Sequence, residues 1–341
     1  MGLFSASFHG DLREVTAMIA EGADVNWADA DQDRATPLIA ASQKGHLAVV
    51  NALIAARAAV DRSNSQGFTA LIVAANKGFD AIVDCLIRVA GASVHHVDDK
   101  GCTALHHAAQ NGRVGVVGVL LRAGANSNVV STDGQRVSPL FLASGEGHLA
   151  VVETLIEAGA NVNHIRAEGF TALMVAALGG FDAIVDCLVR VAGASVHHVN
   201  DKGRTALHSA AQNGHVGVVG VLLRAGANSN VESTEGKRVS PLFLASQEGN
   251  LTVVEALIEA GANVNRIVAE GWTSLMLAAS YGRIDIVRAL LAAGADPRIA
   301  LTVAGPLNGY TALDAAKTVN HPAIIALLEA RLAELAVAGS S

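Results

Sequence analysis

The chain has 341 residues, of which 51% are apolar, 16% are charged and only 4% are aromatic. This apolar content excludes an intrinsically disordered chain, and three cysteines are too few for a disulfide scaffold. A formal net charge of -7 provides no basic footprint for displacing counterions from phosphates, so we expect no nucleic-acid partner.

Leucines recur along the chain at nearly constant intervals. They close short segments that read Thr-Ala-Leu, Ser-Pro-Leu, Thr-Pro-Leu or Thr-Ser-Leu, with spacings of 33 to 35 residues, at Leu38, Leu71, Leu105, Leu140, Leu173, Leu207, Leu242 and Leu275. Three consecutive spacings span 102 residues, and residues 67–96 match residues 169–198 at 26 of 30 positions. The short period predicts a repeat protein, and the long period indicates that a block of three repeats was duplicated.

Each repeat predicts two helices joined at a glycine. In residues 67–100, Thr69 is the predicted N-cap of the first helix, and sister repeats carry proline at the next position, where a missing N–H costs nothing. Gly78 separates this helix from a second one, which should end near Gly91. The remaining stretch is extended and then turns, so we expect it to project as a finger.

Two segments carry a family resemblance. Residues 103–112 read TALHHAAQNG and residues 120–128 read LLRAGANSN, and both patterns recur in tandem. They resemble the TPLHxAAxxG helix and the LLxxGAxxN ending of ankyrin repeats over about residues 3–336. The resemblance implies an all-α ankyrin-repeat solenoid of about ten helix-turn-helix units with projecting β-turn fingers.

We expect one domain over residues 1–341. Its predicted parts are an N-terminal cap unit (3–33), three repeats (34–136), three duplicated repeats (137–238), two repeats with a long last finger (239–308), a C-terminal cap unit (309–336) and a tail (337–341).

The chain departs from the family pattern in three places. The TPLH histidine, which in the family hydrogen-bonds backbone between repeats, is present only as His106 and His208. Arg57 stands where the family has the glycine that ends the second helix, which predicts a strained left-handed residue. The stretch 298–308, with Pro306, lengthens the last finger.

Motifs for chemistry are scarce. The pairs His95-His96 and His197-His198 are the best metal candidates, but adjacent residues in an extended segment point to opposite faces, so one pair cannot easily supply two ligands. No P-loop, GxSxG or HExxH motif occurs. We therefore predict no catalytic residue, no metal site and no cofactor.

The sequence gives no sign of membrane insertion or of secretion. The longest apolar runs are far shorter than the roughly 20 residues that span a bilayer, so we expect no membrane insertion. Cys85, Cys102 and Cys187 form no CxxC pair, which fits reduced thiols better than a bridge or a zinc site. With no signal peptide at the N-terminus, we expect an intracellular protein, in the cytoplasm.

In ankyrin-repeat proteins, partners usually meet the finger tips and the exposed face of the first helices. Carried over to this chain, the finger-tip candidates are Phe68, Asp99, Lys100, Cys102, Glu168, Phe170, Asp201, Lys202, Arg204, Glu270 and Trp272. The helix-face candidates are Asn76, Lys77, Gln110, Asn111, Leu178, Gln212, Asn213, Glu248 and Tyr281. The aromatic rings at 68, 170 and 272 stand at equivalent positions, where they either anchor a partner or pack against a neighbouring finger.

The predicted function is a non-enzymatic scaffold that binds one or more partner proteins through the finger tips and the concave face of the first helices, as a monomer. One alternative makes the chain the recognition arm of a larger assembly, such as a degradation adaptor or an effector. A second alternative is a metal-dependent regulator that uses the paired histidines.

Overall fold

The computed structural model describes residues 2–29, 32–234, 238–268, 271–302 and 308–338. Within these ranges the secondary structure is helical, apart from isolated bridges that join Asp29 to Ala35 and Val97 to Thr103. The chain forms two compact units, residues 1–167 and 168–341. Residues 303–307, which belong to the predicted long finger, lie outside the described residues.

The described part of the first unit contains ten α-helices. They are Gly2–His9 (α1), Leu12–Ala20 (α2), Pro37–Lys44 (α3), Leu47–Ala55 (α4), Ala70–Lys77 (α5), Asp80–Arg88 (α6), Ala104–Gln110 (α7), Val114–Arg122 (α8), Pro139–Gly145 (α9) and Leu149–Glu157 (α10). A 3-10 turn, Ala167–Gly169, spans the sequence boundary with the second unit.

The described part of the second unit contains ten more. They are Ala172–Gly179 (α11), Asp182–Asp186 (α12), Ala206–Asn213 (α13), Val216–Arg224 (α14), Pro241–Glu248 (α15), Leu251–Glu259 (α16), Ser274–Ser280 (α17), Ile284–Ala292 (α18), Ala312–Thr318 (α19) and Pro322–Ala338 (α20). A π-helical turn, Cys187–Val191, follows α12.

Helices pair along the sequence, and equivalent helices of successive repeats pack together. In the first unit α1, α3, α5, α7 and α9 follow one another as a layer of first helices, and α2, α4, α6, α8 and α10 form a layer of second helices. The second unit repeats this arrangement from α11 to α20. Alanine pairs such as Ala74-Ala75 and Ala108-Ala109 are fully buried between these layers, where small side chains allow close helix approach. The ten helix pairs confirm the all-α repeat fold predicted from the sequence.

First helices begin and end where the sequence predicted. The Thr69 hydroxyl accepts a hydrogen bond from the backbone N–H of Ile72, and Gly78 ends α5 in the left-handed conformation with φ of 86°. Pro37 occupies the first turn of α3, as proline does in α9 and α15. Each first helix is therefore bounded by local hydrogen bonds.

His106 and His208 couple neighbouring repeats. Nδ1 of His106 accepts the backbone N–H of Thr103 at 3.0 Å, so Nε2 carries the proton and donates to the Val137 carbonyl of the next repeat at 3.0 Å. His208 makes the equivalent two contacts in the second unit. Burial lowers the pKa of both imidazoles to about 4, although the bond to the carbonyl acts in the opposite direction. The inter-repeat role implied by the family resemblance is confirmed.

Two second helices contain one residue more than the others before their closing glycine. Residues 86–92 read LIRVAGA, whereas residues 120–125 read LLRAGA. At the end of α6 the Cys85 carbonyl accepts from the N–H groups of both Val89 and Ala90, and after α12 the extra residue forms the π-helical turn. The insertion leaves Val89 and Val191 71% and 74% exposed.

Arg57 has a left-handed backbone, with φ of 61°, as the sequence predicted. Equivalent positions carry glycine, and a side chain in this conformation costs about 1 kcal/mol.

We therefore expect Arg57→Gly to raise the unfolding free energy by about 1 kcal/mol, measured as a higher midpoint of urea denaturation. Arg62, also exposed but outside the left-handed region, is the matched control: Arg62→Gly should lower the midpoint or leave it unchanged. An unchanged or lower midpoint for Arg57→Gly would show that the left-handed backbone of Arg57 costs no stability.

Candidate functional site

Two rows of surface positions recur from repeat to repeat. The pre-cap row is the residue before the N-cap of each first helix from α3 onward: Ala35, Phe68, Cys102 and Val137 in the first unit, and Phe170, Arg204, Val239, Trp272 and Tyr310 in the second. The helix-end row lies seven residues after each N-cap: Gln43, Asn76, Gln110 and Gly145 in the first unit, and Leu178, Gln212, Gln247, Ser280 and Thr318 in the second. Together the two rows are called the first-helix face below.

The described candidate residues all lie at the surface. Of the twenty partner-binding candidates, Glu270 lies outside the described residues, and none of the other nineteen is buried. The exposed ones are Lys77, Asp99, Lys100, Gln110, Glu168, Leu178, Asp201, Lys202, Asn213, Glu248 and Tyr281. The half-buried ones are Phe68, Asn76, Cys102, Asn111, Phe170, Arg204, Gln212 and Trp272. Their role in binding stays a prediction.

A groove of about 310 Å³ lies on the first-helix face of the first unit. Phe68, Asn76 and Lys77 line it, so the structure brings these three candidates together. Asn64 and Gln66 from the same finger add amide groups that can donate and accept hydrogen bonds. Asp33 adds a carboxylate, so the groove combines an aromatic ring, amides, one ammonium group and one carboxylate.

The remaining aromatic lining comes from α1. The rings of Phe4 and Phe8 are stacked with centroids 6.3 Å apart, and both line the groove. The Lys44 ammonium lies 4.3 Å from the centroid of the Phe8 ring, a cation–π contact. The sequence analysis treated this segment only as a cap and missed both rings. Aligning Leu3 with Leu38 would have placed Phe8 in the helix-end row.

The aromatic residues of the pre-cap row also have packing roles. Phe68 directly precedes its N-cap, and Val73 stands at the fourth helical position, which is the spacing of a hydrophobic staple. The Phe68 ring meets the His107 ring edge-on at 5.2 Å. Trp272 lies 6.2 Å from Tyr310 and packs against a buried cluster that includes Phe243. These rings stabilise their own repeats and keep a partly exposed surface.

In the first unit, acidic groups surround the third pre-cap position. The Asp98 carboxylate, only 3% exposed, lies 2.8 Å from Nε2 of His107 and also accepts the backbone N–H groups of Lys100 and Cys102. Burial is the largest cause that raises the pKa of the Cys102 thiol to about 11; Asp98 and Asp133 also raise this pKa, and Lys100 lowers it. Cys102 is therefore a neutral thiol in electronegative surroundings.

In the second unit, a cation occupies the same position. Arg204 stands where the first unit has Cys102, and its Nη1 donates to Oε1 of Gln212 at 3.1 Å. Asn200 replaces Asp98 and accepts the same two backbone N–H groups, while Ser209 replaces His107. No carboxylate among the described residues pairs with the Arg204 guanidinium. A neutral thiol in the first unit and a cation in the second thus stand at equivalent points.

The paired histidines are separated by the backbone. His96 lies with Nε2 3.2 Å from the Gly67 carbonyl, His198 repeats this contact with Gly169 at 2.9 Å, and His95 and His197 are exposed. The described ranges contain no group of three or more His, Cys, Asp or Glu side chains arranged to hold a metal ion. Likewise, no helix in the described part combines the length and apolarity needed to cross a bilayer.

Relatives among characterised proteins share this repeat over short stretches. The chain is 36% identical over 109 residues to a glycerophosphocholine phosphodiesterase of Candida albicans, 31% of this chain and 9% of that protein. It is 34% identical over 137 residues to an ankyrin repeat and KH domain-containing protein of Caenorhabditis elegans, 40% and 5% of the two chains. It is 40% identical over 65 residues to an Arf-GAP with coiled-coil, ANK repeat and PH domains of Rattus norvegicus, which is 19% of this chain and 8% of that protein. The chain thus spans less than a tenth of the length of each of these relatives.

The match to the family itself is far more extensive. A family model described as ankyrin repeats in three copies matches residues 3–95, 73–166, 140–233, 225–301 and 242–335. These ranges cover nearly the whole chain and the ten helix pairs. The chain therefore belongs to the ankyrin-repeat family, whose repeats imply a protein-interaction role.

Proposed function

We propose that this chain is a non-enzymatic scaffold that binds partner proteins through the finger tips and the first-helix face. The observation that carries this proposal is the way in which the two duplicated blocks have diverged. Residues 67–168 and 169–270 differ at 17 of 102 positions. A surface that selects partners should change while the structure that supports it is kept.

The differences and the identities fall in different places. In the middle repeat of the block, the second helix and the turn after it, residues 114–129 and 216–231, are identical. In contrast, six of the 17 differences lie in or beside the two rows: Asn76/Leu178, Lys77/Gly179, Asp98/Asn200, Cys102/Arg204, His107/Ser209 and Gly145/Gln247. This pattern supports the first-helix face as the surface on which the two units meet partners.

The cysteines support a non-enzymatic, intracellular role. Cys85 and Cys187 are buried, Cys102 is half-buried, and none of the three belongs to a disulfide. Burial raises the pKa of Cys85 and of Cys102, which keeps both protonated and therefore poor nucleophiles. Free thiols are typical of reducing compartments.

We also propose that the scaffold acts as a monomer and binds no nucleic acid, in keeping with its net charge of -7.

The proposal is tested by affinity capture with the full chain as bait, followed by mass spectrometry. The test variant combines Lys77→Glu, beside the first-helix face, and Leu178→Glu, on it; both side chains are exposed, so the changes should leave the fold intact. The matched control combines Val89→Glu and Val191→Glu, at two residues exposed outside this face. We expect the test variant to recover at least about tenfold less of the partners captured by the wild type, because charge on the face disfavours docking.

Thermal unfolding of all three proteins accompanies the capture. Equal melting temperatures show that any loss of partner comes from the surface and not from unfolding. Equal capture by the wild type and the test variant, or an equal loss in the control, would contradict the assignment of the binding surface.

A further inference from the structure

We propose that Arg204 of the second unit binds an acidic segment of a partner protein. In this segment a carboxylate side chain lies beside an apolar one. The equivalent surface of the first unit rejects such a segment. The two near-identical units would then recognise two different segments and not two copies of the same one. This inference rests on the proposed scaffold function and gives its second unit a ligand chemistry.

The fold itself gives no reason for an arginine at this position. Other members of the pre-cap row are aliphatic or aromatic, apart from the Cys102 thiol, and Phe68 and Trp272 show how such residues pack. A hydrophobic staple also needs an apolar residue at the fourth helical position, and α13 has Ser209 there. Arg204 is the one charged residue in the row.

Electrostatics within the unit also argue against a stabilising role. Arg204 lies two residues before the start of α13, and the N-terminus of a helix carries partial positive charge, which disfavours a nearby cation. The same guanidinium contributes to the lowered pKa of buried His208. With no carboxylate partner in the described part of the chain, this cation gains no ion pair from the folded unit.

The guanidinium is nevertheless held in place. Nη1 of Arg204 donates to the Gln212 side chain at 3.1 Å, and its backbone N–H donates to Asn200 at 3.0 Å. Arginine has five N–H donors in a rigid fork, so the donors that remain can engage a carboxylate in the bidentate geometry. A half-buried, pre-oriented guanidinium suits an acidic side chain because little conformational entropy is lost on binding.

The neighbours of Arg204 define the second half of the ligand. Phe170 precedes Arg204 in the pre-cap row, and Leu178, which is 48% exposed, precedes Gln212 in the helix-end row. Their helices α11 and α13 pack directly, and packed helices lie about 8–10 Å apart. The cation therefore has apolar surface next to it, which fits an aliphatic or aromatic residue adjacent to the carboxylate.

The first unit has the opposite chemistry at the same place. Asp98 accepts the backbone N–H of Cys102 at 2.8 Å and holds a carboxylate beside this residue, where the second unit has the neutral Asn200. Asn76 replaces the exposed leucine. A carboxylate approaching this surface would meet like charge, which lowers its affinity.

The experiment selects peptides of about twelve random residues, displayed on phage, with the full chain as bait. One variant converts the second unit to the residues of the first, with Asn200→Asp, Arg204→Cys and Ser209→His. The other converts the first unit to the residues of the second, with Asp98→Asn, Cys102→Arg and His107→Ser. Each variant carries residue sets that this chain already folds, so both should keep the fold, as circular dichroism will check.

We expect the wild type to enrich an acidic class, with Asp or Glu beside an apolar residue, and a second, non-acidic class. The first variant should lose the acidic class and keep the other, whereas the second variant should enrich only the acidic class. For one acidic peptide made synthetically, Arg204→Cys should weaken binding at least about tenfold. Changing the peptide carboxylate to an amide should lower the affinity of the wild type by a similar factor. The same change should lower the affinity of Arg204→Cys little further.

Two outcomes overturn the inference separately. If the acidic class survives in the first variant, Arg204 does not select it, while the scaffold function stands. A second outcome is that none of the three proteins enriches any peptide, although the capture experiment recovers surface-dependent partners. The units then do not recognise short segments, so the inference fails while the proposed function stands. Failure of both experiments overturns both proposals.

Discussion

Lowering the pH from about 7 to about 4.5 is expected to reduce the unfolding free energy by roughly 5 kcal/mol through two buried histidines, His106 and His208. Their folded-state pKa values are about 4, below the ordinary value of 6.5. Between these values the unfolded chain binds protons that the folded chain does not. The stability is therefore complete above pH 6.5 and is lost progressively as the pH falls toward 4, by roughly 2 to 3 kcal/mol for each imidazole at pH 4.5.

The groups around the imidazoles act in both directions. His107 lowers the pKa of His106, while Asp98 and Asp133 raise it, and Arg204 lowers that of His208. Burial remains the largest cause for both. Since protonation also removes the Nδ1 acceptor for the helix N-cap, the first turns of α7 and α13 should open first, which amide hydrogen exchange detects.

Replacing both histidines by methionine isolates this effect. Met174 and Met276 occupy the equivalent position in other repeats, so the side chain fits. The double variant should be less stable near pH 7, because a buried carbonyl loses its donor, but its stability should fall far less toward pH 4.5. The measurement is urea denaturation followed by circular dichroism at several pH values. Equal losses of stability in the wild type and the variant would contradict burial of the imidazoles in their neutral form.

Gly101→Ala is expected to cost about 3 kcal/mol, whereas Gly124→Ala should cost only about 1 kcal/mol. Both glycines have left-handed backbones, with φ of 76° and 89°, so both substitutions carry the same conformational penalty. A Cβ at Gly101 would also overlap with the backbone nitrogen and the hydroxyl of Thr132 in the next finger, while a Cβ at Gly124 would have no atom within 4 Å. Only the first substitution therefore forces two fingers apart.

The overlap falls on a bond that joins successive fingers. The backbone N–H of Thr132 donates to the Lys100 carbonyl at 3.1 Å, and Asp99 and Cys102 lie on the same finger. Gly101→Ala should therefore lower both the denaturation midpoint and the binding of any partner at this finger of the first unit, whereas Gly124→Ala should leave binding intact. Similar midpoints for the two variants would show that the fingers separate at little cost.

Much of the fold could be predicted because its determinants are local. The periodic leucines and alanines report burial directly, and Thr69, Gly78 and Arg57 occupy positions whose backbone geometry depends on a few neighbouring residues. The N-caps, the left-handed termini and the ten helix pairs accordingly match the sequence analysis. The histidine contacts were foreseen through the family resemblance.

The surface chemistry could be predicted only in part. Candidate positions follow from repeat register, but the pairings of Asp98 with His107 and of Arg204 with Gln212 depend on how each finger folds back onto its helix. The sequence shows Phe4 and Phe8 four residues apart, yet the groove exists only because two later repeats supply its other wall. Binding of partners by these residues remains to be measured.

The inserted residue near Val89 and Val191 has a consequence for how this gene can change. Because a widened helical turn takes up the additional residue within one repeat, repeats of 33 and 34 residues can follow one another. The 35-residue repeats instead carry two additional residues in their fingers, between Ala125 and Ser138 and between Ala227 and Ser240. A block that contains repeats of all three lengths was duplicated. New binding specificities can arise afterwards by point substitutions in the spare copy.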